Sequence, residues 1–282
     1  MVVDSHQHFW ITQREDYGFL QPDAGVLYRN YQPNDLRPVI ENRGIDATIA
    51  IQAAQTVEET LWLLELVRDV KFVLGVVGWL NLLTPEREFL QALRDFQANK
   101  KFVGLRPMLQ DIPDDQWILQ PQVLANLQIV ADEGLPFDIL VYPRHLPFVL
   151  EAIDRMPHLR AVVDHLGKPP IRIGELEPWA RNVAALSCYP DIWCKISGMV
   201  TEANWSDWKV SDFVPYVQHV LDAFGPERVM FGSDWPVCLQ AATYDQVYQL
   251  AEATIPKETL SRYRDAIFGE NALRFYRLNG SR

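Results

Sequence analysis

Eight short runs rich in Val, Ile and Leu recur along the 282-residue chain, and a stretch with helical spacing follows each one. They lie at 2–10, 47–52, 73–80, 102–107, 136–142, 159–165, 192–198 and 228–236. Most lack clean polar–apolar alternation, so they read as strands buried on both faces, as in parallel sheets. Helix signals fall between them. Asn34 is placed to cap a helix that Gly44 stops, Thr56 and Glu59 match a capping box, and Gly134 and Gly225 end the helices at 121–133 and 212–224. Two last helices are predicted at 244–253 and 258–276. Eight βα units without a linker predict an α/β fold of the TIM (β/α)8 barrel type, a single domain over 1–282. A doubly wound sheet has less support, because no Gly-x-Gly-x-x-Gly turn follows the first run.

Charge and composition narrow the function. With 26 Lys and Arg against 37 Asp and Glu, the net charge of −11 argues against nucleic acid or an anionic membrane as the partner. No apolar run approaches the roughly 18 residues of a membrane span. Val2-Val3-Asp4 does not look like a signal peptide, so the expected compartment is cytoplasmic. The three cysteines (Cys188, Cys194, Cys238) have no disulfide or zinc-knuckle spacing and are expected to be reduced and mostly packed. The partner is expected to be a small molecule; the sequence does not speak to oligomeric state.

In such a barrel the chemistry sits at the C-terminal strand ends. Polar residues fall at those ends: His6 and His8, Arg106, Tyr142, His165, Lys195 and Ser197, then Asp234. In a strand, His6 and His8 share a face about 7 Å apart, suited to one metal ion or one substrate. Alternation places Asp234 with Gly232 and Met230 in the lumen, Arg106 with Gly104, Lys195 with Ser197, and His165 with Val163 and Ala161. Asp234, between Gly232-Ser233 and Trp235-Pro236, has no evident structural duty. Lys168 follows Gly167 and is either a site cation or a solvated loop residue; Asp138 either binds backbone inside the barrel or reaches the site. His145 and His158 flank prolines and are expected to face solvent; His219 is given no role. The aromatic loops at 11–31 and 199–208 are expected to close over a ligand.

Four motifs, in order along the chain, carry a family resemblance. Asp-Ser-His-Gln-His-Phe-Trp at 4–10, Val-Asp-His-Leu-Gly-Lys-Pro at 163–169, Phe-Gly-Ser-Asp-Trp-Pro at 231–236 and Phe-Gly-Glu-Asn-Ala at 268–272 resemble the amidohydrolase superfamily, and within it the amidohydrolase-2 lactonase branch. The resemblance implies a distorted TIM barrel and hydrolysis at a carbonyl by activated water. It implies Asp234 as base, with His6, His8 and His165 lining the site. The expected reaction is opening of a sugar-acid lactone of the L-fucono- or L-rhamnono- type. Arg106, Lys168 and His165 are candidate catalytic donors; Lys195, Ser197, Tyr142 and Trp235 are candidate substrate contacts. The fourth run offers Arg106 where two-metal members carry a bridging lysine, and the fifth offers Tyr142 where they carry a histidine, so a binuclear site is not expected. One zinc or other divalent ion on His6, His8 and Asp234 is chemically reasonable, and a vacant site equally so. The alternatives are a dicarboxylate lactone hydrolase, a metal-dependent decarboxylase and a non-catalytic sugar-acid binder.

Overall fold

The computed structural model describes residues 1–278. Its eight strands are β1 (Val3–Gln7), β2 (Ala47–Ile51), β3 (Val73–Gly78), β4 (Phe102–Leu105), β5 (Phe137–Ile139), β6 (Ala161–Val163), β7 (Ile192–Ile196) and β8 (Val229–Phe231). All pair in parallel in chain order. Between β8 and β1 the ring closes through two backbone bonds beyond the last strand: Asp234 N–H to His6 O at 2.8 Å, and His8 N–H to Trp235 O at 2.7 Å. The same two bonds bring the opening histidine motif and the terminal Asp234 together from opposite ends of the chain.

Helices α1 (Pro33–Arg43), α2 (Val57–Leu66), α3 (Glu86–Gln97), α4 (Pro121–Asp132), α5 (Leu146–Arg155), α6 (Trp179–Ser187), α7 (Val210–Phe224) and α8 (Tyr244–Thr254) form the outer ring. Gly44 stops α1 in the left-handed conformation as expected, with φ 75°. Its start differs: Gln32, not Asn34, is the cap, because Pro33 sets the first turn and the Asp35 carboxylate accepts the Gln32 N–H at 2.8 Å. Thr56 caps α2 through the Glu59 N–H at 3.1 Å. Glu59 does not complete the box. Its carboxyl turns inward to accept from Ala53 N–H at 2.8 Å and the Tyr17 hydroxyl at 3.3 Å.

The single helix expected over 258–276 is broken. α9 (Lys257–Asp265) and α10 (Asn271–Phe275) flank a wider turn at Ala266–Glu270. Phe268 leaves helical geometry there, at φ −94° and ψ 15°, and Gly269 lets Met1 pass, since a Cβ at 269 would lie 2.0 Å from the Met1 carbonyl oxygen. The chain start passes too close for any side chain. α10 then carries Phe275 and Tyr276 against the inner cluster of Ile49, Ile51, Val77, Val162, Trp193 and Met230.

That cluster identifies the lumen-facing set. Met230 and Trp193 are in it, which fits the expected inward faces of β8 and β7. β6 runs the other way from the sequence reading. Val162 faces in, while Ala161 and Val163 join the outer core. Asp164, two residues beyond Val162, therefore takes the inward position expected of His165. In β1 the register slips by one residue between Asp4 and Gln7. This bulge lets both Val3 and His6 face inward, which strict alternation forbids.

Candidate active site

Three imidazoles converge on one carboxylate oxygen. Asp234 Oδ1 lies 3.2 Å from Nε2 of His8, 3.8 Å from Nε2 of His6 and 3.9 Å from Nε2 of His165. All four side chains are buried. Burial alone would push the Asp234 carboxyl up, but His165 and His8 outweigh it and hold it below the ordinary carboxylate value. Desolvation pushes His6 and His165 well below the usual imidazole value.

The backbone that delivers these groups is locally left-handed. His165, Leu166, Gly167 and Lys168 have φ of 54°, 55°, 73° and 52°, and Asp234 has 57°. Non-glycine residues pay about 1–2 kcal/mol each for this region. The turn at 165–168 is anchored by Leu166, whose side chain is buried and whose carbonyl accepts the Trp179 indole N–H at 2.7 Å. Its curl swings His165 and Lys168 over the barrel mouth although the strand face belongs to Asp164. Gly198, at φ 57°, makes room: a Cβ there would lie 2.3 Å from the His165 ring.

Beneath the imidazoles lies a dry layer of paired charges. Lys195 Nζ sits 2.5 Å from Asp138, 3.0 Å from Asp164 and 3.2 Å from His6 Nδ1. Tyr276 donates to both oxygens of Asp138, at 2.9 and 2.8 Å. Arg106 places Nη1 3.2 Å from Asp164 and 3.3 Å from His6 Nε2, while Nη2 donates to the Gln52 carbonyl.

A cavity of about 560 Å³ opens above this layer, with His8, His165, Asp234, Lys168 and Tyr142 among its walls. Phe19 and Trp205 supply aromatic surface from the two loops expected to cover a ligand, and Trp10 adds to it from the end of the first strand run. Of the sequence candidates, Asp234, His8, His165, Lys168, Tyr142 and Arg106 line it. His6, Lys195, Ser197 and Trp235 do not; His6 lies behind Asp234 with Arg106 and Lys195 against its ring. Lys195 is held in the charge layer. Ser197 Oγ supports His165, 2.9 Å from its Nδ1. Trp235 packs edge-on against Phe9 and Tyr31. Asp138 pairs with side chains rather than backbone. His145 is buried, not solvent-facing, because its Nδ1 accepts the Tyr142 N–H at 3.0 Å; His158 is exposed as expected. The cysteines are free, and two of the three are buried. Sequence reasoning missed Asp164 and Glu202; the Asp-His pair at 164–165 was the available signal for the first.

The donor set fits a divalent cation. His6, His165 and Asp234 offer ligand atoms all within 4.8 Å of one another, so the compact trio contains His165 rather than the expected His8. Ligand atoms about 2 Å from one zinc ion lie roughly 3–4 Å apart, and Asp234 Oδ1 stands 3.8 and 3.9 Å from the two imidazole nitrogens. His8 adds a second argument. Its Nδ1–H donates to the Ile51 carbonyl at 2.9 Å, so in the neutral ring the Nε2 lone pair faces Asp234 Oδ1. In that form Nε2 can ligate a cation beside Asp234, whereas a protonated ring donates to the carboxylate instead. His6 Nε2 is shared, since Arg106 competes for the same lone pair. A second trio, His6, Asp138 and Asp164, also lies within 4.8 Å, but Lys195 Nζ already stands among its three members.

Imidazoles gathered on one carboxylate at the mouth of a (β/α)8 barrel form a centre able to hold a cation or take a proton from water. The chain belongs to the amidohydrolase family, whose profile matches residues 3–278. The L-fucono-1,5-lactonase of Burkholderia ambifaria is 37% identical over 281 residues, covering 98% of this chain and 96% of that protein. That of Burkholderia multivorans is 35% identical, with the same coverage. An amidohydrolase from Burkholderia multivorans solved with bound zinc superposes with a TM-score of 0.89 at 34% identity, covering 99% of this chain and 100% of that one.

Proposed function

We propose that this enzyme opens sugar-acid lactones by hydrolysis, with L-fucono-1,5-lactone as the reference substrate and Asp234 as the base. The observation that carries the reading is Asp234 at the cavity wall, its Oδ1 facing the Nε2 atoms of His8 and His165 there and of His6 behind them. Asp234 takes a proton from water as the oxygen attacks the ring carbonyl. Lys168 donates to the oxygen on which charge develops, and the ring C–O bond breaks. Asp234 returns its proton to the leaving ring oxygen, giving the open hydroxy acid. A lactone is an activated ester, so one well-aimed donor matters; losing such a donor typically costs about 100- to 1,000-fold.

His6, His165 and Asp234, with His8 beside them, would hold one divalent ion, zinc by the chemistry of the set. When bound, that ion supplies electrophilic help at the carbonyl and favours ionised water. The ammonium of Lys195 supports one ion rather than two. Arg106 orients His6 and bridges Asp164 and Gln52, so its part is to position rather than to touch substrate.

The cavity charges favour a neutral sugar lactone over a dicarboxylate. Lys168 and Arg172 are offset there by Asp111 and Glu202. Among the described residues no helix is long and apolar enough to cross a membrane. The test is a pH-indicator assay across sugar lactones and dicarboxylate lactones. Ring opening releases a proton, decarboxylation consumes one, and a binder does neither. Failure to acidify with any lactone sinks the reading.

A further inference from the structure

Glu202 has no part in the reaction above, yet it lines the same cavity and is half-buried. Its Oε1 lies 3.3 Å from Lys168 Nζ. Lys168 also stands over the face of Tyr142, 5.0 Å from the ring centre. The ammonium is thus fixed from two sides, by an anion and by an aromatic face, and its remaining donor capacity is directed into the cavity. The carboxylate is likewise underused: it has about four acceptor positions, and Lys168 engages one oxygen. The pair therefore presents a donor and an acceptor side by side at the wall.

One substrate feature complements that arrangement. A lactone with a hydroxyl on the carbon next to the carbonyl offers an acceptor oxygen and a donor hydroxyl as neighbours, at about hydrogen-bonding separation. A lactone lacking that hydroxyl leaves the carboxylate facing carbon, partly desolvated and without a donor.

We propose that Glu202 is a specificity-determining residue that reads the 2-hydroxyl of the substrate while Lys168 takes the carbonyl oxygen, so that this enzyme selects α-hydroxy lactones. The inference rests on the lactonase reading and adds the substrate class to it. The same carboxylate disfavours a substrate with a second carboxylate at that carbon.

The test compares L-fuconolactone with its 2-deoxy analogue on wild type, Glu202→Gln and Glu202→Ala, each preparation assayed on both lactones. Because the ratio of kcat/KM is taken within one preparation, partial loss of folded protein cancels. Wild type is expected to favour the 2-hydroxy lactone by roughly 10- to 100-fold. In Glu202→Ala the ratio is expected to collapse toward unity, mainly through loss on the hydroxylated substrate, and in Glu202→Gln, whose amide oxygen still accepts, to fall part of the way. Equal turnover of the two lactones by wild type overturns the inference while leaving the lactonase reading intact. So does an equal fall on both substrates in the variants, which reduces Glu202 to a support for Lys168. Opening of neither lactone by wild type overturns the inference, and failure across the wider set of sugar and dicarboxylate lactones removes the lactonase reading with it.

Discussion

The Lys195 ammonium lies 2.5 Å from the Asp138 carboxylate, and neither side chain is reached by solvent. Lys195 also faces Asp164 and His6, so a covalently tethered cation stands among three residues of ligand type. Removing one partner of a buried ion pair leaves an uncompensated charge and costs about 3–5 kcal/mol. Lys195→Ala is expected to lose about that much in urea unfolding. Metal analysis of zinc-loaded protein should then find one more ion per chain in the variant than in wild type. Equal metal content in the two proteins sinks this account of Lys195.

Asp234→Asn keeps the shape of the side chain and removes the base. Loss of a general base typically lowers turnover by about 100- to 10,000-fold, and kcat on a sugar lactone should fall within that range while KM changes little. Since the wild-type carboxyl is held below its ordinary value, the base persists into acid solution, and its loss appears only as pH drops below the usual carboxylate range. Near wild-type turnover in the Asn variant rules out this assignment.

Metal dependence has a direct measurement. Dialysis against a chelator should abolish lactone opening, and stoichiometric zinc should restore it. The restored protein is also expected to melt at a higher temperature, because an ion that binds only the folded centre stabilises it. Full activity at trace metal content would mean that the histidines act only as hydrogen-bond partners of Asp234.

Glu59 makes stability depend on pH. Desolvation pushes its carboxyl up to about 8, against the pull of the Ala53 and Ala54 N–H groups. The folded state therefore binds more protons than the unfolded state between the ordinary Glu range and about pH 8. Stability from this group is fully present below that window and is lost as pH rises through it. Glu59→Gln cannot titrate, so the fall in Tm between pH 5 and pH 8 should be smaller in the variant. An unchanged fall would place the pH dependence elsewhere.

The fold was legible because eight apolar runs and their turn residues are local signals. All eight strands lie where hydrophobic pattern and Gly or Pro punctuation placed them. The place of Asp234 at the barrel mouth was legible for a related reason, since a carboxylate straight after an apolar strand falls at the strand's C-terminal end. The β6 faces were not, because the three positive-φ residues from His165 to Gly167 reverse the parity that alternation assumes. Lys195 was misplaced for want of depth information: alternation reports which way a side chain points, not how far below the cavity it stops. The need for glycine at 269 was hidden without knowing where Met1 would pass. Glu202 lies in an irregular loop, where no periodicity marks a functional face.

The left-handed turn at 165–168 has a consequence for anyone seeking to move this chemistry to another protein. His165 and Lys168 reach the reaction space through four consecutive residues on the mirror side of backbone space, held down by a tryptophan from α6. Copying the polar side chains onto equivalent strand positions of a different barrel would send a histidine toward the helices and leave an aspartate in its place. The transferable unit is the curl together with its indole clamp and the glycine at 198, not the set of reactive side chains.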